Sequence, residues 1–171
     1  MSSNLSSAYR SKATDLGPWL RLAGWICLVG TVAATGAIIT QPQVDGWYVQ
    51  LVKPDFTPPN WIFGPVWSTL YLMMAVAVWL VSEQPSREEN EFAVGMFLCQ
   101  LTANFFWSLF FFQWHLLAIS LLTLCTLWVL VATTLFAFWQ RSKPAALLLV
   151  PYLAWITFAF ALNAEIWRLN S

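Results

Sequence analysis

A chain of 171 residues with 59% hydrophobic and only 9% charged side chains has too little polar surface to cover a water-soluble globule. Its net charge is zero and its eight basic residues are scattered, which removes nucleic acid from the partners it can hold. What these figures leave is an all-α integral membrane protein crossing the bilayer several times.

Residues 1–18 are Ser-rich and polar, with Arg10 and Lys12 against one acid, Asp15, and no apolar core ahead of a cleavage site. They read as a disordered leader, or alternatively as a targeting extension, with the membrane domain following over 19–171. Span one is expected over Trp19–Thr40. After Trp47 and Tyr48 comes the connector KPDFTPPNWIFGPVWSTLY, from Lys53 to Tyr71. Pro54, Pro58, Pro59 and Pro65 each fix φ and remove a backbone donor, so this segment resists helix and sheet until span two, expected over Trp61–Val81. A stiff lid is the consequence, its Phe56, Trp61, Phe63 and Trp67 offering flat apolar surfaces at the edge of the hydrocarbon.

The acidic stretch from Ser82 to Glu91 reads as a solvated connector. A helix rising about 1.5 Å per residue needs roughly 20 residues to cross about 30 Å of hydrocarbon, so the uncharged run from Phe92 to Trp139 holds two crossings. They are expected over Phe92–Gln113 and Leu116–Trp139, with a tight hairpin at Trp114 and His115. The fifth span is expected over Ala145–Trp167. Cys27, Cys99 and Cys125 fall inside spans without CxxC spacing and read as small buried apolar residues.

Five crossings put the amino terminus, the Ser82 to Glu91 loop and the Gln140 to Pro144 loop on one side, with Arg10, Lys12, Arg21, Arg87, Arg141 and Lys143. The lid side has only Lys53 and Arg168, so the positive-inside rule turns the lid outward. Span three carries Gln100, Asn104, Trp107, Ser108 and Phe111 at spacings of three and four, on one helical face. An amide facing hydrocarbon is expensive, so this face turns toward the bundle interior. Pro151, Trp155, Ala159 and Leu162 share a face of span five, where the proline opens space beside the helix. Trp67, Trp107 and Trp155 sit too deep to be headgroup anchors; they wall a cavity under the lid or pack an aromatic core. Small residues spaced by four, Gly95 with Cys99 and Ala103, mark span three as a candidate homodimer seam.

A single histidine, His115, rules out a histidine-box oxygenase or a multi-histidine metal site. There is no Ser, His and acid constellation within the membrane and no Gly-rich phosphate loop, so conventional catalysis is not expected.

Five spans, the Trp47–Tyr48 pair, KPDFTPPNWIFGPVWSTLY, the Asn104 to Phe112 stripe and PYLAW at Pro151 to Trp155 together resemble the TspO family, also called translocator protein or peripheral benzodiazepine receptor. The similarity runs from about Trp19 to Asn170. It implies a five-transmembrane-helix bundle whose first loop folds over a ligand cavity. It also implies binding of tetrapyrroles such as porphyrin or heme, as ligand and not as a required cofactor, with sterols as alternative ligands and a likeness to lipid translocators. Carried over motif by motif, the cavity positions are Gly36, Ala37, Trp47, Tyr48, Phe63, Val66, Trp67, Asn104, Trp107, Phe111, Trp155, Ala159 and Leu162. A light-dependent porphyrin-degrading activity is a further implication, for which Trp67 and Trp155 are the candidate electron donors. The family's proposed cholesterol motif is incomplete here, because Leu162 to Arg168 reads LNAEIWR without a tyrosine. Bacterial and organelle membranes are both compatible with the resemblance.

Overall fold

The computed structural model describes residues 17–85 and 87–171. The leader assigned to 1–18, with Arg10 and Lys12, lies outside these residues except for Gly17 and Pro18, which form the first turn of span one. Five helices are long and apolar enough to cross a membrane: Gly17–Asp45, Asn60–Ser82, Glu88–Gln113, Leu117–Arg141 and Lys143–Asn170. The described residues contain no strand. The protein is a multi-pass membrane helix bundle.

Each helix runs past at least one of the limits expected from apolar runs, because backbone hydrogen bonding continues into the headgroup layer where charged side chains are no longer penalised. Span three starts at Arg87 rather than near Phe92, and Glu88 and Glu89 in its first turn suit the positive end of the helix dipole. Span five starts at Lys143, with Pro144 in a first turn that has no use for its missing N–H. Span one continues to Asp45 and carries Pro42 inside its last turns. There Gly46 breaks the helix, and a short helix, Trp47–Gln50, follows. A Cβ at Gly46 would lie 3.0 Å from the Pro42 carbonyl oxygen, so the joint is made at a residue without one.

The shared sides expected from five crossings are visible as contacts. On one side Arg21 pairs with Glu83 at 2.5 and 2.8 Å, Trp79 Nε1 donates to the Pro18 carbonyl at 3.0 Å, and Arg141 bonds Glu89, Asn90 and the Pro85 carbonyl. The Arg21 hydrogen bond holds the Glu83 carboxyl below its ordinary range. On the other side Trp47 stacks on His115 with centroids 4.0 Å apart, and a His115 ring nitrogen lies 3.2 Å from Gln43 Oε1. His115 has φ 56°, the left-handed conformation that lets the hairpin between spans three and four turn so tightly.

The cysteines correct the sequence reading. Cys27, Cys99 and Cys125 all face outward from the bundle. In a bilayer both the inside and the outside of a helix are apolar, so a small apolar residue carries no signal of which it faces. The proline-rich connector is held down at its outer edge: Val52 exchanges two backbone to side-chain bonds with Asn170, at 3.0 and 2.9 Å, and Phe56 meets Phe158 edge-on at 6.3 Å. Thr57 caps a turn on the Pro54 carbonyl, and Asn60–Ile62 forms a 3₁₀ turn that leads into span two.

Candidate functional site

A cavity of about 510 Å³ lies between the lid-side halves of spans one, two, three and five. Its floor is set by a polar tie across three helices. Tyr71 of span two donates to Asn104 Oδ1 at 3.0 Å, and Asn104 Nδ2 donates to the Tyr152 hydroxyl of span five at 2.6 Å. Asn104 and Tyr152 are fully buried, so the amide satisfies both phenols where water does not reach. A second tie, Asn163 with Ser120 at 2.9 Å, joins spans four and five, and Asn163 also borders the cavity.

Above this floor the walls are aromatic. Trp67 tilts against Trp107 at 6.0 Å and against Tyr71 at 5.6 Å. Trp107 continues into Phe111 at 5.9 Å, and Phe111 touches Tyr48 at 6.2 Å. On the opposite wall Trp155 meets Phe63 edge-on at 5.9 Å and Phe158 at 5.4 Å. Span three delivers its rings through an irregularity: Leu109–Gln113 is a π-helical turn, with the Trp114 N–H reaching back to the Leu109 carbonyl at 2.9 Å. The wider turn keeps consecutive residues on the inner side, and both Phe111 and Phe112 border the cavity. Span one contributes small residues, Ala33, Gly36 and Ala37. The nearest atom to a Cβ placed at Gly36 would be Ser108 Oγ, 3.9 Å away.

Of the positions singled out from the sequence, Gly36, Ala37, Tyr48, Phe63, Trp67, Trp107, Phe111, Trp155, Ala159 and Leu162 line this cavity. Trp47, Val66 and Asn104 do not. Trp47 is spent on His115 and the edge of Phe111, Val66 packs against the buried core, and Asn104 sits below the floor with its amide already engaged. The Pro54 to Pro59 stretch lines nothing either; the lid borders the cavity through its two ends, Tyr48 on one side and Asn60 and Trp61 on the other. Glu165 faces Arg168 at 2.8 Å and takes no part in the lining.

Sequence reasoning passed over Tyr71, Phe112, Phe158 and Asn163. Tyr71 and Phe158 lie four and three residues beyond Trp67 and Trp155, a helical spacing that would have found them. Phe112 is off the regular face and appears only because of the π turn. Two donors in the wall have no partner, the Tyr48 hydroxyl and Trp107 Nε1. Burial pushes the Tyr48 hydroxyl up to about 12, so it keeps its proton. The lining is mainly aromatic and apolar, and its one carboxylate, Asp45, is exposed at the last turn of span one.

Comparison with known proteins places this geometry. The model of the TspO/MBR family matches residues 25–168. The chain is 40% identical over 153 residues to the tryptophan-rich protein TspO of Chlorobaculum tepidum, covering 88% of this chain and 96% of the relative. It is 41% identical over 140 residues to protein CrtK of Rhodobacter capsulatus, covering 80% and 84%. Translocator protein of Bos taurus is 35% identical over 155 residues, covering 90% of this chain and 92% of that one.

Proposed function

The chain belongs to the TspO/MBR family, and from that premise we propose that it is a membrane receptor or transport protein that binds tetrapyrroles, porphyrin or heme, and similar planar hydrophobic molecules, serving tetrapyrrole transport, sensing or stress control. The observation that carries this reading is the aromatic lining: Trp67 tilted against Trp107 on one side and Trp155 edge-on to Phe63 on another, around a space of about 510 Å³. That volume lies in the range of roughly 300–1,000 Å³ typical of small-molecule sites. Rings stacked on indole gain dispersion and quadrupole contacts that an aliphatic chain does not, which favours a planar ligand over a fatty one.

Holding the ligand is the reading, with light-dependent porphyrin degradation kept as the enzymatic alternative. A sterol or lipid translocator is the alternative, weakened by the missing tyrosine between Leu162 and Arg168. Titration of the purified protein with protoporphyrin and with cholesterol, reading tryptophan quenching, tests it. Saturable quenching by protoporphyrin that cholesterol does not compete away supports the tetrapyrrole reading. Saturation by cholesterol alone transfers the case to the sterol carrier.

A further inference from the structure

The exposed part of the cavity lining has a direction. On span one the exposed lining residues descend from Asp45 through Gln41 to Ala37, and on span two from Asn60 through Gly64 to Ser68, with the exposed Trp61 beside Asn60 at the top. Each series repeats every four residues, so each lies along a single helical face. The lining residues of spans three and five are buried or half-buried without exception, from Trp107 and Phe111 to Leu162 and Ile166. The open side is therefore the seam between spans one and two. A rise of about 1.5 Å per residue puts Ser68 about 12 Å below Asn60, well inside the hydrocarbon of the lid-side leaflet.

The same two helices are tied at their other end. Trp19 stacks on Trp79 at 6.1 Å, Trp25 Nε1 donates to Ser82 Oγ at 3.3 Å, and Arg21 pairs with Glu83. Among the described residues, no hydrogen bond or ring contact joins 33–45 of span one to 60–71 of span two. The side chains along the deep part of the seam are small, and a Cβ placed at Gly64 would meet nothing within 4 Å. Pro42 lies inside span one at the level of the open half, where its ring removes a backbone hydrogen bond and eases bending. The lid is anchored on span five, not on span one, so its attachment leaves this seam unbridged.

From this arrangement we infer that the cavity is loaded sideways from the lid-side leaflet through the seam between spans one and two. Its ligand class is then planar amphiphiles already dissolved in the bilayer, entering edge-on with their polar rim at the level of Asp45, Gln41 and Asn60. The inference rests on the binding reading above and adds the source of the ligand and its route.

The test uses the full chain in phosphatidylcholine vesicles, with protoporphyrin IX dissolved in the bilayer and its own fluorescence followed in time. Gly64→Trp plugs the seam, and Thr69→Trp puts the same bulk on an exposed position of span two outside the lining. Gly64→Trp is expected to slow both loading and release by about tenfold or more, whereas Thr69→Trp, outside the lining, matches the parent in rates and in Kd. Unchanged rates in Gly64→Trp, or a loss of affinity carried by faster release alone, overturn the route. A second measurement needs no porphyrin. In a chain with Cys27, Cys99 and Cys125 replaced by alanine, Leu162→Cys on the far wall is expected to react with a bilayer-dissolved maleimide and to be protected by Gly64→Trp. Labelling that ignores the plug overturns the inference; absence of porphyrin uptake by the parent chain, with labelling still blocked by the plug, removes the tetrapyrrole reading and keeps the route.

Discussion

Asn104→Ala separates two roles for one residue. The family resemblance makes Asn104 a cavity position, whereas its amide is engaged by Tyr71 and Tyr152 below the floor. Truncation strands two phenol hydroxyls among apolar side chains, and an orphaned buried group costs about 1–3 kcal/mol, which bounds the loss near 6 kcal/mol. The bilayer sets a lower bound, because separated helices find other partners and interhelical bonds there average about 0.6 kcal/mol each. Two bonds give a floor of roughly 1.2 kcal/mol, and full burial of Asn104 and Tyr152 places the expected loss at about 2–4 kcal/mol. Tyr71→Phe leaves only the Asn104 carbonyl unpaired and is expected to cost about 1 kcal/mol. Reversible unfolding in mixed micelles measures stability, and protoporphyrin titration at a temperature where each variant is folded measures affinity. A tie predicts that stability falls first and affinity follows it. Intact stability together with abolished binding in Asn104→Ala would refute the structural assignment and restore the residue to the ligand.

Glu83 gives a pH dependence of known sign. Its folded-state carboxyl is held below the ordinary value of 4.5 by Arg21, so the pair stabilises above that value and its contribution disappears as pH falls through the lower, folded one. The pair lies at the surface, with the Arg21 side chain 53% and the Glu83 side chain 22% accessible, so no more than about 1 kcal/mol is at stake and salt should reduce it; Glu83→Gln is expected to flatten the acid limb of a stability-against-pH curve, and an unaltered limb counts against the pairing. Cys99 faces outward beside Gly95, whose Cβ position is open. With Cys27 and Cys125 replaced by alanine, oxidative crosslinking in native membranes is expected to trap a dimer through Cys99, and a purely monomeric product removes the span-three seam. Trp67 and Trp155 both border the cavity; if either indole supplies electrons to an illuminated porphyrin, the double Phe variant slows the light-dependent loss of porphyrin fluorescence, and equal rates in parent and variant dismiss the photochemical alternative.

What the sequence made legible is what the bilayer penalises. Charged groups are excluded from hydrocarbon, so the uncharged runs located five crossings, and the amide stripe of span three pointed inward because an exposed Gln100 or Asn104 would be costly. The tryptophans at span ends, Trp19, Trp61, Trp114, Trp139 and Trp167, are exposed as headgroup anchors should be. Where apolar faces apolar the signal is lost, as the three outward cysteines demonstrate. Periodicity also failed at Phe112, since a π turn changes the phase of the helix without leaving a mark in residue type. Trp47 and Asn104 show a third limit. Both belong to motifs that point to the cavity, yet one is held by the His115 hairpin and the other by two tyrosines, contacts between segments too far apart in sequence for local spacing to reveal.

The distribution of cross-links argues that this asymmetry is functional. Spans two, three and five are joined by Tyr71, Asn104 and Tyr152, spans four and five by Ser120 and Asn163, and the lid is fastened to span five by Asn170 and Phe158. Among the described residues, the ring contact, hydrogen bonds and ion pair between spans one and two all lie at the end remote from the cavity: an indole stack, the Trp25 to Ser82 and Trp79 to Pro18 bonds and the Arg21 to Glu83 pair. In lipid there is no hydrophobic force pressing two helices together, so where polar ties and tight packing are missing their separation costs little. An opening movement of the lid-side half of span one therefore breaks no buried hydrogen bond, its ties there being the exposed Gln43 to His115 contact and the Trp47 stack on His115, whereas the same movement of span two, three or five would break the floor. Closing the seam by design, with a residue pair that bonds between the lid-side halves of spans one and two, should stabilise the empty bundle and slow exchange of its ligand together; stabilisation without slower exchange would show that the mobile wall lies elsewhere.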